Sequence, residues 1–379
     1  MKFRVERDVL ADAVAWAARS LPVRPSVPVL AGLLIEAGDD GLVLSTFDYE
    51  TSARATLSAQ VSDEGKALVS GRLLADICRS LPDKPVEMVL DGSRVSLTCG
   101  SARFSLQTMP VDDYPSLPDM PSATGTVPAE AFAHAVAQAV TAAGRDDMLP
   151  VLTGVRIEID GSTISLLATD RFRLSHRELD WNPRTPDESA AALVPARVLG
   201  DTAKSLTAGG EVTIALATTG TGEGIIGFEG QAPGGVRRTT TRLLDGEFPK
   251  VRSLFPNEHQ TTALVDKAAL VESVKRVALV AERNTAVQLA FSDGVLTLDA
   301  GSGDEAQASE SIEASVTGED ITTGFNPQFL LDGLTAIDQP VVELAFTQAS
   351  KPVVLSGQIA DGEEDTAFRY LLMPRRLLS

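Results

Sequence analysis

The side chains that could carry acid–base or metal chemistry are few in this chain, and their spacing does not favour a reactive site. None of the histidines His134, His176 and His259 has a cysteine or a second histidine at the spacing that zinc sites use. The acidic pairs Asp112-Asp113 and Asp146-Asp147 lie in loop-like segments, and no pattern brings them to a common metal ion or substrate. The G-x-S-x-G motif of a hydrolase nucleophile is also absent. The sequence therefore predicts no catalytic residue, no metal ion and no cofactor.

A glycine-rich stretch, "TTGTGEGIIGFEG" from Thr218 to Gly230, could suggest a phosphate-binding loop. It lacks the Gly-Lys-Ser/Thr ending with which such loops bind phosphate. It also lies between the strand-like runs "VTIALA" and "GIIGFE", so a hairpin turn is the better interpretation. The acidic stretches "GSGDEAQASE" and "DGEEDTAF" lack the carboxylate spacing of a calcium loop, and we interpret them as solvated loops.

Length, composition and net charge exclude several classes of protein. The chain has 379 residues, enough for two or three domains, and its 44% hydrophobic and 5% aromatic content predicts aliphatic cores. A net charge of −19 argues against a protein that coats nucleic acid with its whole surface, although it allows a local basic face. Cys78 and Cys99 make no disulfide framework, and no signal peptide or membrane-length apolar run is present. These features predict a soluble cytoplasmic protein.

The chain repeats itself. "VPVLAGLLIEA" from Val27 returns as "LPVLTGVRIEI" from Leu149, and "LVSGRLLADICRSL" from Leu68 returns as "LVPARVLGDTAKSL" from Leu193. A fainter third copy, "TTGFNPQFLLDGLTAI", starts at Thr322. Repeats of this kind indicate copies of one structural unit. The chain is therefore predicted to contain three domains, at residues 1–125, 126–250 and 251–379.

Each repeat has the same order of predicted elements. An Ala-rich helix such as Asp8–Ser20 comes first, followed by alternating strands with turn signals such as "GDDG". A second helix opens at Ser70, at Pro195 or at Asn326-Pro327, residue types that favour helix starts. Two helices on an antiparallel sheet make an α+β domain. The closing run "YLLMPRRLLS" is predicted to begin as the last strand of the third repeat.

One charge pattern is repeated. Arg72 and Arg79 are seven residues apart on one face of the second helix, and Arg197 and Lys204 occupy the same places in the second repeat. The third repeat lacks this pair, and Arg24 lies just beyond a first helix. A solvated helix face explains each residue taken singly. The repeated spacing also favours a basic surface that contacts phosphates without reading bases.

Motifs along the whole chain resemble one family. "MKFRVERDVL", "RPSVPVL", "LLATDRFRLS", "LLDGEFP" and "YLLMPRRL" look like the bacterial DNA sliding clamp, the β subunit of the replicative DNA polymerase III. The resemblance implies a head-to-tail homodimer, a six-domain ring of the DNA clamp fold with helices lining a hole for double-stranded DNA. It implies a processivity factor that is not an enzyme. Its partners would be the polymerase α subunit, the clamp loader δ subunit and other clamp-motif proteins, which carry short, apolar, Gln-Leu-rich peptides.

The resemblance also implies roles for particular residues. DNA would face Arg24, Arg72, Arg79, Arg197 and Lys204. The dimer interface would bring Phe104 and Leu106 of one chain to Leu279 and Val280 of the other. A partner-peptide groove would be lined by Leu152, Thr169, Arg171, Phe172, Arg173, Leu174, Pro249, Leu254, Asn326, Phe329, Met373, Pro374 and Arg375, with the arginines and Asn326 expected to orient the peptide's polar groups. Many family members have Gly-His at Arg171-Phe172 and Met at Arg375, which leaves the peptide preference open.

Two other functions remain as alternatives at this point. A DNA-acting hydrolase would need the acidic loops to bind a metal, with activity lost on changing Asp112 or Asp146. A monomeric repeat scaffold unrelated to DNA would have the mass of one chain, 39.9 kDa, in solution.

Overall fold

A computed structural model describes residues 1–39, 41–218, 224–281, 285–301, 306–359 and 362–375. Within these ranges the chain forms two compact units. Unit 1 comprises Met1–Ala133, Trp181–Glu188 and Val198–Leu243, and unit 2 comprises His134–Asp180, Ser189–Arg197 and Leu244–Ser379. In the same ranges, no helix is both long and apolar enough to cross a membrane.

Six α-helices lie within the described ranges: α1 (Arg7–Ala18), α2 (Gly71–Ser80), α3 (Ala129–Val140), α4 (Ala196–Ser205), α5 (Lys267–Val277) and α6 (Pro327–Ala336). The predicted first helix is confirmed to within two residues at each end. The predicted Asn326 cap is also confirmed, because its side chain accepts hydrogen bonds from the backbone N–H groups of Gln328 and Phe329. The predicted helix start at Ser70 is confirmed, because Ser70 is the N-cap residue of α2, although its side chain makes no capping hydrogen bond.

The strands are β1 (Lys2–Val5), β2 (Gly32–Gly38), β3 (Gly41–Phe47), β4 (Thr51–Leu57), β5 (Gln60–Asp63), β6 (Gly65–Ser70), β7 (Val86–Asp91), β8 (Arg94–Cys99), β9 (Ala102–Met109), β10 (Gly125–Pro128), β11 (Gly154–Asp160), β12 (Thr163–Thr169), β13 (Arg173–Asp180), β14 (Asn182–Pro183), β15 (Ser189–Pro195), β16 (Glu211–Thr218), β17 (Gly224–Ala232), β18 (Gly235–Arg242), β19 (Thr261–Asp266), β20 (Val287–Ser292), β21 (Val295–Ala300), β22 (Ala308–Glu313), β23 (Ser315–Gly318), β24 (Ile321–Phe325), β25 (Val341–Phe346), β26 (Val353–Gln358) and β27 (Glu364–Leu372). All the ladders between them are antiparallel, as the alternating runs and turn signals predicted.

Unit 1 contains a sheet of 14 strands, in the order β14-β10-β16-β17-β18-β4-β3-β2-β6-β9-β8-β7-β1-β5. The β4–β18 pair joins strands of the first and second repeats, and hydroxyl pairs reinforce it: Thr51 with Thr241 at 3.1 Å, and Ser52 with Thr240 at 2.6 Å. Helices α1 and α2 bury their apolar faces in an aliphatic cluster, as the scarcity of aromatic residues predicted.

Unit 2 contains a nine-stranded sheet, in the order β15-β11-β12-β13-β27-β26-β25-β19-β23, and a four-stranded sheet, β22-β21-β20-β24. The closing strand β27 lies between β13 of the second repeat and β26 of the third. Leu371 and Leu372 are buried there, as predicted. Residues 376–379 lie outside the described residues.

Both predicted hairpins are supported by their flanking strands. β2 pairs with β3 around "GDDG", with Gly38 opposite Gly41, and Asp40 lies outside the described residues. β16 pairs with β17 around the glycine-rich stretch, with Thr218 opposite Gly224. The residues between them, 219–223, are not described, but the two strands that they join form one antiparallel ladder. A hairpin is therefore confirmed in place of a phosphate loop.

Candidate functional site

A tight turn between β12 and β13 presents two side chains at the surface of unit 2. The Asp170 carboxylate accepts hydrogen bonds from the backbone N–H groups of Phe172 (3.0 Å) and Arg173 (3.1 Å). Arg171 sits at the bend with φ of 80°, in the left-handed region, and Phe172 is 58% exposed. This backbone conformation costs a residue with a Cβ roughly 1–2 kcal/mol, a cost that glycine would not have.

The same turn occurs in unit 1, a correspondence that the repeat comparison missed. Asp48 accepts from the backbone N–H groups of Glu50 (3.0 Å) and Thr51 (2.6 Å), and Tyr49 has φ of 75°. Asp48 precedes Asp170 by 122 residues, the offset between the first two repeats, so aligning the repeats through this region would have revealed it.

Arg173 is the structural centre of the candidate groove. Its side chain is only 5% exposed, and it donates to Asp170 (2.9 Å) and to Asp332 on α6 (2.5 Å). The guanidinium also lies 4.3 Å from the centre of the Phe329 ring and 3.4 Å from the Tyr370 hydroxyl. Burial lowers the pKa of Arg173, but Tyr370, Asp332 and Asp170 together raise it above its usual value. Arg173 is therefore engaged within unit 2, which favours a role in positioning the candidate groove over one in orienting a peptide.

One end of the candidate groove is aromatic and includes the C-terminal segment. Phe172 and Phe329 stack with ring centres 6.2 Å apart. The backbone N–H of Met373 donates to the Phe172 carbonyl (2.8 Å), and that of Arg375 donates to the Gly324 carbonyl (2.7 Å). Met373 keeps 39% of its surface exposed. The segment after β27 is thus fixed by backbone hydrogen bonds while its methionine remains available at the surface.

The other end of the groove is aliphatic. Leu174 belongs to a buried cluster with Leu167, Leu193, Phe248, Val251, Ala345, Val354 and Leu371. Leu254 is 53% exposed beside this cluster, and Pro249 is also exposed. Leu152, Thr169 and Leu174 are buried, so they can support the groove but have little surface to offer a ligand. The side chain of Asn326 is occupied in capping α6. Pro374 and Arg375 are half-buried at the aromatic end.

A histidine that the sequence left without a role is buried near the aliphatic end. The His176 side chain is 3% exposed and lies with its ring centre 5.9 Å from that of Phe255. Its Nε2 is 3.3 Å from Glu178 without hydrogen-bond geometry, and neither ring nitrogen is hydrogen-bonded within the described residues. Burial lowers the pKa of His176 to about 4; Arg252 and Arg369 act in the same direction, against Glu178.

This buried histidine predicts a pH-dependent stability. The folded pKa lies below the value of about 6.5 for an unfolded chain, so the unfolded state takes up the proton first as the pH falls. The contribution of the neutral His176 side chain to the stability of unit 2 is therefore complete above the unfolded pKa, and it is lost as the pH falls towards 4. Between about pH 7 and about pH 4.5 we expect unit 2 of the wild type to lose on the order of 2 kcal/mol more stability than a His176→Leu variant. Urea unfolding at each pH measures this difference, and parallel pH profiles would contradict it.

The predicted DNA-facing residues all lie at the surface. Arg72 and Arg79 are exposed on α2, where Arg79 pairs loosely with Asp76 at 3.4 Å. Arg197 and Lys204 are exposed on α4, and Arg24 is exposed in the loop after α1.

The residues predicted for the dimer interface differ strongly in exposure. Leu279, in the short 3-10 turn after α5, is 84% exposed, whereas Val280 and Phe104 are half-buried. Leu106 is 4% exposed and belongs to the core of unit 1. Because its side chain points into that core, Leu106 has little surface to offer a second chain. The prediction that Leu106 contacts the partner chain is therefore corrected: it can only support the strand that carries Phe104.

Each unit also has a strand with an unpaired edge. In the described part of unit 1, β9 pairs with β8 along its length but with β6 only at Thr108 and Met109, which leaves Ala102–Gln107 open on one side. In the described part of unit 2, β22 pairs with β21 alone. Open strand edges readily pair with another chain.

The remaining acid–base candidates do not converge within the described ranges. His134 lies 2.7 Å from Asp338 on the surface, and Asp146 accepts a hydrogen bond from the backbone of Met148. Asp112 and Asp113 lie in a short 3-10 turn. Over the residues that the structure describes, no three His, Cys, Asp or Glu side chains are placed to hold a metal ion together.

Comparison with known proteins assigns the family. Models of the DNA polymerase III beta subunit match the N-terminal domain at residues 1–118, the central domain at 126–250 and the C-terminal domain at 252–376. The beta sliding clamp of Streptomyces coelicolor is 60% identical, with 100% of both chains covered, and the beta sliding clamp homolog GriR of Streptomyces muensis is 46% identical, with 99% of both covered.

Solved structures agree with this assignment. The DNA polymerase sliding clamp of Bacillus subtilis superposes with a TM-score of 0.90 at 25% identity, with 100% of both chains covered. The sliding clamp of Pseudomonas aeruginosa bound to griselimycin gives 0.88 at 25% identity, also with 100% of both covered. The match extends over all three repeats and does not depend on any single motif. The chain therefore belongs to the DNA polymerase III beta subunit family, the bacterial sliding clamps.

Proposed function

We propose that this chain is a ring-shaped processivity factor: two copies close head to tail around duplex DNA, slide along it and tether the replicative polymerase. As a member of its family it is a non-catalytic subunit of the polymerase, which sets aside the hydrolase and the unrelated scaffold. It would act in the cytoplasm, on the chromosome. The proposal keeps three domains, at residues 1–125, 126–250 and 251–379, with which the family matches agree.

Open strand edges in both units, among them those of β9 and β22, are the observation that supports the ring. One of these edges, Ala102–Gln107, belongs to unit 1. Another, β22, belongs to unit 2 and packs against α5, the helix that precedes the exposed Leu279. Two different surfaces that complement each other give a head-to-tail contact, which makes a ring when the rotation closes. Encirclement would retain DNA without tight binding, so a few basic residues suffice in a chain with a net charge of −19.

A substitution of the exposed Leu279 tests the proposed dimer interface. Replacing Leu279 with Asp should convert a dimer of about twice the chain mass into a monomer at micromolar concentration, because a carboxylate would be buried without a partner. Light scattering measures the mass. Met148 in unit 2 is equally exposed, at 84%, so Met148→Asp is the matched control and should remain dimeric. A wild-type monomer, or a Leu279→Asp dimer as tight as the control, would contradict the proposed interface.

We also propose that the groove in unit 2 binds the short apolar peptides of the polymerase, the clamp loader and other partners. Phe172, Leu254 and Met373 are exposed apolar side chains, and a backbone hydrogen bond between Met373 and Phe172 fixes two of them relative to each other. Such a groove offers apolar surface with adaptable methionine. Arg171 and Arg375 replace residues that many family members carry, and they would set this chain's own preference among peptides.

Two matched variants test whether partner peptides bind at the proposed groove. Met373→Asp should weaken binding of a fluorescent Gln-Leu-x-Leu-Phe peptide by at least about tenfold, because a charge replaces an apolar contact at the groove. Val295 is equally exposed at 39% but lies on β21, so Val295→Asp should bind the peptide as the wild type does. Fluorescence anisotropy measures both affinities. Equal binding by the two variants would place the peptide elsewhere.

A further inference from the structure

A cavity lies beside the aliphatic end of the candidate groove. Its volume is about 460 Å³, and both walls belong to unit 2: Arg156, Glu158 and Leu167 on the sheet, and the segment from Glu247 to Ser253 opposite them. Leu167, Phe248 and Val251 come from the same buried cluster as Leu174, and Pro249 lines both the cavity and the predicted groove. The cavity therefore continues the groove along the Phe248–Leu254 segment.

Among the side chains that line this cavity, three are basic and two are acidic. Arg156, Lys250 and Arg252 face Glu158 and Glu247, which leaves a net positive charge in a chain whose total is −19. Glu158 is already shared, because it accepts from Arg156 at 2.7 Å and from Arg252 at 2.8 and 2.9 Å. The Lys250 ammonium is exposed and makes no ion pair in the part of the chain that the structure describes. Arg252 is also 3.6 Å from Glu178, which lies outside the lining. The Lys250 ammonium, and the N–H groups of Arg156 that Glu158 does not use, are thus available to an anionic group.

We propose that this basic cavity binds acidic side chains that flank the apolar motif of a partner peptide. The proposal rests on the proposed function of the groove and adds a rule of selectivity to it: partners with Asp or Glu next to the motif bind more tightly than partners with Lys. A carboxylate fits because the lining offers donors at the mouth of an apolar pocket, where charge-assisted hydrogen bonds are partly shielded from water. The general repulsion of acidic peptides by this acidic chain would act against that preference, so a measured preference has to come from a local basic site.

The test uses fluorescent peptides with one common apolar motif. Both ends are blocked, so that no terminal carboxylate contributes. Two glutamates or two lysines are added before the motif in one pair of peptides and after it in another, and a fifth peptide has no extension. Anisotropy titrations compare the wild type with Lys250→Gln and Arg252→Gln. Lys351→Gln, which removes an exposed lysine of unit 2 outside the cavity, is the matched control.

We expect glutamate on one side of the motif to improve binding by about three- to tenfold over lysine at low salt, the range for a few partly exposed ion pairs. This preference should shrink in Lys250→Gln and in Arg252→Gln, persist in Lys351→Gln and weaken as salt is added. The peptide without an extension should bind all four proteins equally. Equal binding of glutamate and lysine peptides by the wild type, or a preference that survives both cavity variants, would overturn the inference and leave the groove intact. Failure of the unextended peptide to bind any protein would overturn the proposed groove, and the inference with it.

Discussion

Replacing Arg173 with Ala should lower the free energy of unfolding of unit 2 by about 3–5 kcal/mol, the usual cost of breaking a buried ion pair. The guanidinium is 5% exposed and joins Asp170 to Asp332, two residues from different repeats. Its loss would also leave the Phe329 ring without the cation above it. The same variant should lose peptide binding, because Phe172 and Phe329 depend on this arrangement.

The comparison variant for this prediction is Arg171→Ala. Arg171 lies in the same turn but is exposed, and alanine has the same difficulty at a φ of 80°. We expect its effect on stability to stay within about 0.5 kcal/mol. Urea unfolding followed by circular dichroism, with amide hydrogen exchange of β13 and β27, measures both variants. If Arg173→Ala costs no more than Arg171→Ala, the central role assigned to Arg173 is wrong.

Replacing Asp12 with Ala should have the second largest effect, in unit 1. Asp12 on α1 pairs with Arg237 on β18, whose side chain is only 7% exposed and lies 5.0 Å from the centre of the Trp16 ring. Burial lowers the pKa of Arg237, and Asp12 counteracts that lowering. Without Asp12 the Arg237 guanidinium stays buried and charged without its carboxylate partner. We therefore expect the free energy of unfolding of unit 1 to fall by about 2–4 kcal/mol. Because Asp12 is itself 47% exposed, water partly screens the pair, so we expect a smaller loss of stability than for Arg173→Ala.

Both tryptophans, Trp16 and Trp181, belong to unit 1, so their fluorescence during urea unfolding reports on that unit. Asp8→Ala on the same helix is the control. Asp8 is 75% exposed, and its partner Arg7 is less deeply buried than Arg237, so its loss should cost less than about 1 kcal/mol. A similar shift for Asp12→Ala and Asp8→Ala would show that the Arg237 pair contributes little to the stability of unit 1.

Local patterns in the sequence predicted a large part of the fold. The hairpin turns and the Asn326 cap depend on residues close together in the chain, and the structure confirms them. The apolar end of the chain was correctly interpreted as a strand. Local physics determines such features, because a cap or a turn needs only a few neighbouring residues.

The roles of individual residues in the candidate groove could not be predicted in the same way. Arg173 and Asp332 are 159 residues apart, so only the tertiary structure reveals that the arginine is internal. Leu106 was a plausible surface residue on an edge strand, but the strand's alternation turns it towards the core of unit 1. The basic cavity combines residues of β11 with the segment before β19, a pairing that no spacing in the sequence indicates.

Retention on circular DNA tests the central claim most directly. The chain is loaded by its clamp loader onto nicked circular plasmid, and the complex is separated by gel filtration in high salt before and after the plasmid is cut once. A ring that encircles DNA should stay on the circle despite the salt, because topology retains it, and should slide off the ends once the plasmid is linear. Equal retention on circular and linear DNA, or equal loss from both in high salt, would contradict a ring that encircles the duplex.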